Sequence, residues 1–348
     1  MPGPLRLIIV MVPEKKKLGE TMTSRRNFMI ASAIGLASAT GLAKAQSRPG
    51  TVTSKMPSVA LESNPQTRID RPQGTGGFAL ALGGGAAKAY AHIPYLQSLD
   101  SLGIRPKQMS GTSMGSIIGG LYAGGMSGTE IREYAIDLLT HRRSLIKRLL
   151  VDTGDTWGSL LNLMRPAVIE PEVLFKALMP EELPETFDKL GIPFAIVATD
   201  FYQQSEHVMR DGPLLSAIAA SSALPVLLTP VSRDGRVLID GGFVNPTPFD
   251  ILDADRYFTI GIDVTGSTVE DDGAIPGSLE TWAGSFSITE HSIVVEKLKN
   301  AAPDLLVTPD VGRYKPLDFF NIEAILASVD KEQDAFKRQI ETLVEHNN

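Results

Sequence analysis

The stretch that most restricts this chain is Gly111-Thr112-Ser113-Met114-Gly115. Its G-x-S-x-G spacing puts a serine on a tight turn from strand to helix, where only glycine tolerates the crowded backbone on either side. Upstream stands a glycine run, Gly83-Gly84-Gly85. Its amides have no side chains in front of them and suit an oxyanion. A nucleophile and an anion cradle in one short stretch suggest acyl transfer. Either motif alone is common. The third element makes the set specific: Asp240-Gly241-Gly242 follows the apolar run Val237-Leu238-Ile239, which places a carboxylate at the end of a predicted strand with two residues behind it that allow an abrupt turn.

The three pieces in this order resemble the patatin-like phospholipase family. Here they read Leu82-Gly83-Gly84-Gly85-Ala86-Ala87-Lys88-Ala89-Tyr90-Ala91-His92-Ile93, then Gly111 to Gly115, then Asp240-Gly241-Gly242. Ala198-Thr199-Asp200 and Ala220-Ser221-Ser222-Ala223-Leu224-Pro225 also look like the family. The resemblance spans residues 76 to 330. Ala89 stands where the family usually has glycine, and Ala219 where it often has arginine or lysine. Neither removes a group that the chemistry needs.

The resemblance implies a three-layer α/β/α domain with a mostly parallel central sheet and a lipid ester or phospholipid as substrate. It implies Ser113 as nucleophile. A serine hydroxyl barely ionises at neutral pH, so a base must take its proton as it attacks. In the family that base is an aspartate acting without histidine, which carried over is Asp240. Gly83, Gly84 and Gly85 would form the oxyanion hole. No organic cofactor is needed, and no histidine or carboxylate cluster has metal spacing. An α/β-hydrolase triad remains open, because Ser113, Asp240 and His291 stand in its chain order. A non-catalytic lipid-binding protein on the same scaffold is the other reading, although it has no use for serine, aspartate and glycine run together. Lys88 reads as a solvated lysine, His92 as a packed helix residue and Asp200 as structural.

Hydrophobic periodicity fits this architecture. Phe78 to Leu82 and Phe194 to Ala198 are short apolar runs, read as buried strands. Ile93, Leu96, Leu99 and Leu102 recur at helical spacing up to Gly103, with Pro94 tolerable only near the first turn. Ile117, Ile118, Leu121 and Tyr122 alternate with small residues that let their helix lie close to the sheet. Ser205 to Met209 and Val231 to Ile239 read as strands, the latter folded at Arg233-Asp234-Gly235-Arg236. Phe258 to Val264 and Leu305 to Thr308 complete them, and Phe336, Ile340, Leu343 and Val344 mark a closing helix.

The flanks read differently. Ser24-Arg25-Arg26-Asn27-Phe28-Met29 resembles a twin-arginine export signal, followed by a weakly apolar stretch and Ala43-Lys44-Ala45, an A-x-A-like cleavage site. Met22 just before it offers an alternative start. Residues 1–45 are therefore expected to be a leader, 46–75 a disordered linker rich in Pro, Gly, Ser and Thr, and 76–348 the acyl hydrolase domain, periplasmic or secreted. Cysteine is absent, which removes disulfides, thiolate nucleophiles and cysteine metal sites. The chain carries a formal charge of −7, and residues 1–45 hold 7 Lys/Arg against 2 Asp/Glu, so the rest is more acidic still. That balance argues against nucleic acid. One stretch runs against it: Arg142, Arg143, Lys147 and Arg148 interleave with Leu145, Ile146, Leu149 and Leu150, and Trp157, Leu160, Leu161, Leu163 and Met164 continue the apolar theme. A cap that touches a lipid surface or guides acyl chains would look like this.

Overall fold

The computed structural model describes residues 77–140, 170–266 and 275–347. The leader, the linker, the basic stretch with Arg142, Arg143, Lys147 and Arg148, and the segment from Trp157 to Met164 lie outside them.

The strand before the glycine run, β1 (Phe78–Leu82), is an interior strand of an eight-stranded sheet. All five of its residues are buried, the pattern of a parallel strand covered on both faces. It pairs in parallel with β2 (Gln108–Thr112) on one edge. On the other edge lies a later strand, Phe258–Ile262. β3 (Phe194–Asp200) continues the parallel sheet beyond β2. Three pairings around β3 are antiparallel: β4 (Ser205–Met209) and β6 (Arg236–Asp240) pair with β3 itself, and β5 (Val231–Arg233) pairs with β6. The Phe258–Ile262 strand is β7, and β8 (Leu305–Val307) closes the far edge in parallel with it.

Side-chain alternation along β1 sends two sets of residues to opposite faces. Phe78, Leu80 and Leu82 join one large core. It includes residues of α1 (His92–Ser101), α2 (Met114–Ala123), α3 (Gly128–Thr140), α4 (Pro171–Leu178) and α5 (Leu214–Ser221). Ala79 and Ala81 face the other way, where Phe249, Leu252 and Val294 cover them. Val294 belongs to α6 (Ser278–Ala301), a 24-residue helix. Two further helices, α7 (Ile322–Asp330) and α8 (Gln333–Asn347), return to the first core through Ile325, Phe336 and Ile340. Helices on both faces of a mostly parallel sheet make a three-layer α/β/α domain.

Local details follow the sequence with small shifts. The chain leaves the glycine run as a 3-10 turn, Ala86–Ala91, before α1 begins at His92, so Pro94 falls in the first turn. The hairpin between β5 and β6 turns on Asp234 (φ 50) and Gly235 (φ 72), the two left-handed residues of a type I′ turn. A Cβ added to Gly119 would lie 2.7 Å from the Phe194 ring of β3, which is why α2 needs small residues to lie so close to the sheet. Among the described residues no helix is long and apolar enough to cross a membrane.

Candidate active site

The site lies at the carboxyl ends of β1, β2 and β6. β2 runs into Ser113, which adopts φ 52 and ψ −126, a conformation that side-chain-bearing residues avoid. Three hydrogen bonds hold it there. The Ser113 amide donates to Ser221 Oγ (2.8 Å), Ser221 Oγ donates to the Val197 carbonyl (2.5 Å), and Ser116 Oγ donates to the Ser113 carbonyl (2.6 Å). The flanking glycines are required by close backbone approach. A Cβ on Gly115 would lie 2.2 Å from the Leu82 carbonyl oxygen, and one on Gly111 would lie 2.7 Å from the Gly115 carbonyl oxygen. Bare backbone therefore packs the serine turn against the end of β1.

Asp240 is the last residue of β6. Its Oδ2 accepts a 2.6 Å hydrogen bond from Ser113 Oγ, and its Oδ1 accepts one of 2.8 Å from the Gly242 amide. The chain can turn away at once because Gly241 is bare; its Cβ would lie 2.3 Å from the Val197 carbonyl oxygen. Asp240 is buried. Burial pushes its carboxyl up to about 6, against the lowering effect of the hydrogen bonds from Ser113 and Gly242. A carboxylate so desolvated is a stronger base than one in water.

The glycine run departs from its expected role in part. The Gly83 amide donates to the Ile262 carbonyl (3.0 Å) and the Gly84 amide to the Pro246 carbonyl (2.8 Å). These two amides tie the loop to its neighbours and are already engaged. Of the run, Gly85 alone keeps an amide without a partner among the described residues. Gly84 nevertheless faces the chamber, since a Cβ there would lie 3.3 Å from Ser113 Cβ. The Met114 amide, at the first position of α2, also has no partner among the described residues; helix geometry leaves it without one.

Lys88 is not the solvated lysine that its charge suggests: it is 3% exposed. Burial pulls its ammonium below the usual range, while Glu290 and Asp263 oppose that shift. His92 is a fully buried helix residue, with Nε2 2.7 Å from the Gly83 carbonyl. Asp200 caps the β3–β4 turn through the amides of Tyr202 and Gln203 and accepts from Arg236. His291 is exposed, and Asp240 has Ser113 and Gly242 as its partners, so the structure does not bring Ser113, Asp240 and His291 together.

Glu290 escapes the motif reading. It is fully buried on α6, and neither carboxylate oxygen has a hydrogen-bond partner among the described residues. Its Oε1 lies 2.5 Å from where a Gly242 Cβ would be and 3.3 Å from where a Gly84 Cβ would be. The signal in the sequence is its place on the same helical face as Ala283 and Val294, a carboxylate interrupting an otherwise apolar stripe.

A separate pocket, lined by Gln108, Phe187, Phe194 and Arg210 among others, sits at the amino ends of β2 and β3, the wrong end of the strands for this chemistry. Among the described residues no group of three or more His, Asp or Glu side chains could hold a metal ion.

A half-buried serine hydrogen-bonded to a buried aspartate beside a glycine loop, on an α/β/α sheet, is an arrangement that can support acyl transfer to serine. The chain belongs to the patatin-like phospholipase family, whose model matches residues 80–253, half of its length. An NTE family protein of Mycobacterium tuberculosis is 34% identical over 191 residues, covering 54% of this chain and 49% of that protein. Patatin-like phospholipase domain-containing protein 6 of Homo sapiens is 30% identical over 278 residues, covering 71% of this chain and 19% of that protein. The chain thus spans about half the length, or less, of these curated relatives. VipD from Legionella pneumophila shares 13% identity at a TM-score of 0.40, over 76% of this chain and 67% of that one.

Proposed function

We propose that this chain is a serine lipid acyl hydrolase, of phospholipase A or carboxylesterase type, working through a Ser113–Asp240 dyad. One observation carries the reading: the 2.6 Å hydrogen bond from Ser113 Oγ to the buried Asp240 carboxylate. Family membership supports a lipid ester as substrate. Ser113 Oγ attacks the ester carbonyl as its proton passes to Asp240. The tetrahedral oxyanion is stabilised by amides at the mouth of the site. Among the described residues those of Gly85 and Met114 lack partners, and the amide after the nucleophile is a usual contributor at such elbows. Collapse breaks the bond from acyl carbon to alkoxy oxygen, expels the alcohol with a proton, and leaves an acyl ester on Ser113 with Asp240 ionised again. A water molecule, deprotonated by Asp240, then releases the fatty acid.

Fluorophosphonate labelling tests the reading, because the probe traps only an activated serine. Wild type and His291→Ala should label; Ser113→Ala and Asp240→Asn should not. A folded wild type that fails to label, together with no turnover of any ester, would remove the enzyme reading and leave lipid binding.

Two further parts belong to the proposal. The twin-arginine-like segment at Arg25 and Arg26 supports work in the periplasm or outside the cell; replacing both with lysine should hold the protein in the cytoplasm. Arg142, Arg143, Lys147 and Arg148 support peripheral contact with anionic lipid. Changing the four to glutamine should weaken sedimentation with anionic vesicles, and unchanged binding would remove that part.

A further inference from the structure

Asp240 is not the only carboxyl in the catalytic chamber. Glu290 reaches it from α6. Its Oε1 and Ser113 Cβ are each 3.3 Å from the point where a Gly84 Cβ would lie. Its Oε1 and Asp240 Oδ1 share a second such point, at Gly242, at 2.5 and 3.1 Å. The bare faces of two motif glycines thus make the space that this carboxyl occupies. A buried polar group without a partner is costly to the fold, so one retained here calls for an explanation.

We propose that Glu290 is a catalytic residue, the general acid that protonates the departing alcohol when the acyl-enzyme forms. This rests on the dyad reading above. Two carboxyls in one site serve opposite roles when their surroundings push their proton affinities apart. Asp240 is held by two donors, from Ser113 and Gly242. Glu290 has none. The charged groups around Glu290 are Asp240 from β6, Asp263 just after β7 and Lys88 from the turn after the glycine run. Burial and the two aspartates hold its carboxyl well above the usual range and favour its protonated form, with Lys88 opposing.

The proton count closes. Ser113 Oγ bonds to the acyl carbon and gives its proton to Asp240. The bond from acyl carbon to alkoxy oxygen breaks, and that oxygen takes the Glu290 proton. Glu290 is then a carboxylate beside protonated Asp240. Return of the Asp240 proton to Glu290 restores both groups, leaving Asp240 ready to deprotonate water.

The test is a leaving-group series: one short acyl chain on alcohols from alkyl to nitrophenyl, given to the full chain and to Glu290→Gln. Glutamine keeps the size and the polarity but has no acidic proton to give. The expected result is a loss of kcat/KM for alkyl esters of about 10²–10⁴-fold. That loss shrinks steadily as the alcohol becomes more acidic. An equal loss across the series, or none, overturns the proposal. Should the variant not fold, wild type decides alone: its pH profile should show a basic limb with alkyl esters that is absent with nitrophenyl esters, and identical profiles overturn the proposal. Loss of the dyad reading would be seen separately, as turnover retained by Ser113→Ala.

Discussion

Ser113 and Asp240 meet because the strands that carry them end head to head on one edge of β3. Parallel β2 brings Thr112 beside Val197, and antiparallel β6 brings Asp240 beside Ala198. β4 takes the other edge of the same stretch, from Ile196 to Asp200. The remaining edge is therefore shared, with the two carboxyl ends pointing at each other. The dyad is fixed by sheet register, and Thr199 Oγ1 pins it further by donating to the Asp240 carbonyl (2.7 Å).

Removing either member should abolish turnover while leaving the fold. Ser113→Ala and Asp240→Asn are each expected to lower kcat by on the order of 10⁴-fold or more, by analogy with other nucleophile–base units. Steady-state kinetics on a soluble ester measures it. His291→Ala should stay within about twofold of wild type, because the ring is exposed and touches neither dyad member.

Asp240 also makes a prediction about stability. Its carboxyl is raised in the folded state from 3.8 to about 6. The folded protein therefore prefers the protonated form. That contribution is fully present below about pH 4 and is lost as pH rises through 6. At neutral pH the ionised, buried carboxylate costs roughly 3 kcal/mol, since each tenfold change in proton affinity is worth about 1.4 kcal/mol. Glu290 acts in the same direction. Asp240→Asn should therefore unfold at higher denaturant than wild type at pH 7.5, and the gap should close at pH 4. Activity should move the opposite way, with kcat/KM rising through an apparent pKa near 6 as the base ionises.

The glycines separate folding from catalysis. Gly115→Ala drives a Cβ to 2.2 Å from backbone that cannot move. It should destabilise by about 3 kcal/mol or more. For Gly84→Ala the nearest atoms are Ser113 Cβ, Glu290 Oε1 and the Thr112 carbonyl oxygen, at 3.3 to 3.4 Å. It should fold with a nearly unchanged melting temperature and lose at least about tenfold in kcat/KM, because the methyl fills the space between nucleophile and Glu290. Thermal melts beside ester turnover distinguish the two.

Much of this architecture is written in local pattern. Phe78 to Leu82, the serine turn and the Asp240 strand end are legible because continuous apolar runs meet glycines that backbone approach requires. Burial of Lys88 and Glu290 is not legible in the same way. Both are charged, and what buries them is packing between segments far apart in sequence: the turn after β1, the loop after β7 and α6. The engagement of the Gly83 and Gly84 amides has the same origin, since their acceptors, Ile262 and Pro246, come from distant parts of the chain.

Ser221 shows how a residue without chemistry of its own can govern the site. Its hydroxyl accepts from the Ser113 amide and donates to the Val197 carbonyl, joining α5 to the serine turn and to β3. Ser113 holds φ 52 against its own preference, so whatever ties its amide down helps to maintain the elbow. Ser221→Ala leaves a part-buried amide and a buried carbonyl without that partner, at a cost of about 1–3 kcal/mol. It should also let the turn relax and lengthen the Ser113–Asp240 hydrogen bond. The expected signature is a lower melting temperature together with a fall in kcat at little changed KM, since the lost hydrogen bonds are those to the serine turn and to β3. Loss of stability with full kcat would show that the other contacts alone hold Ser113 in place.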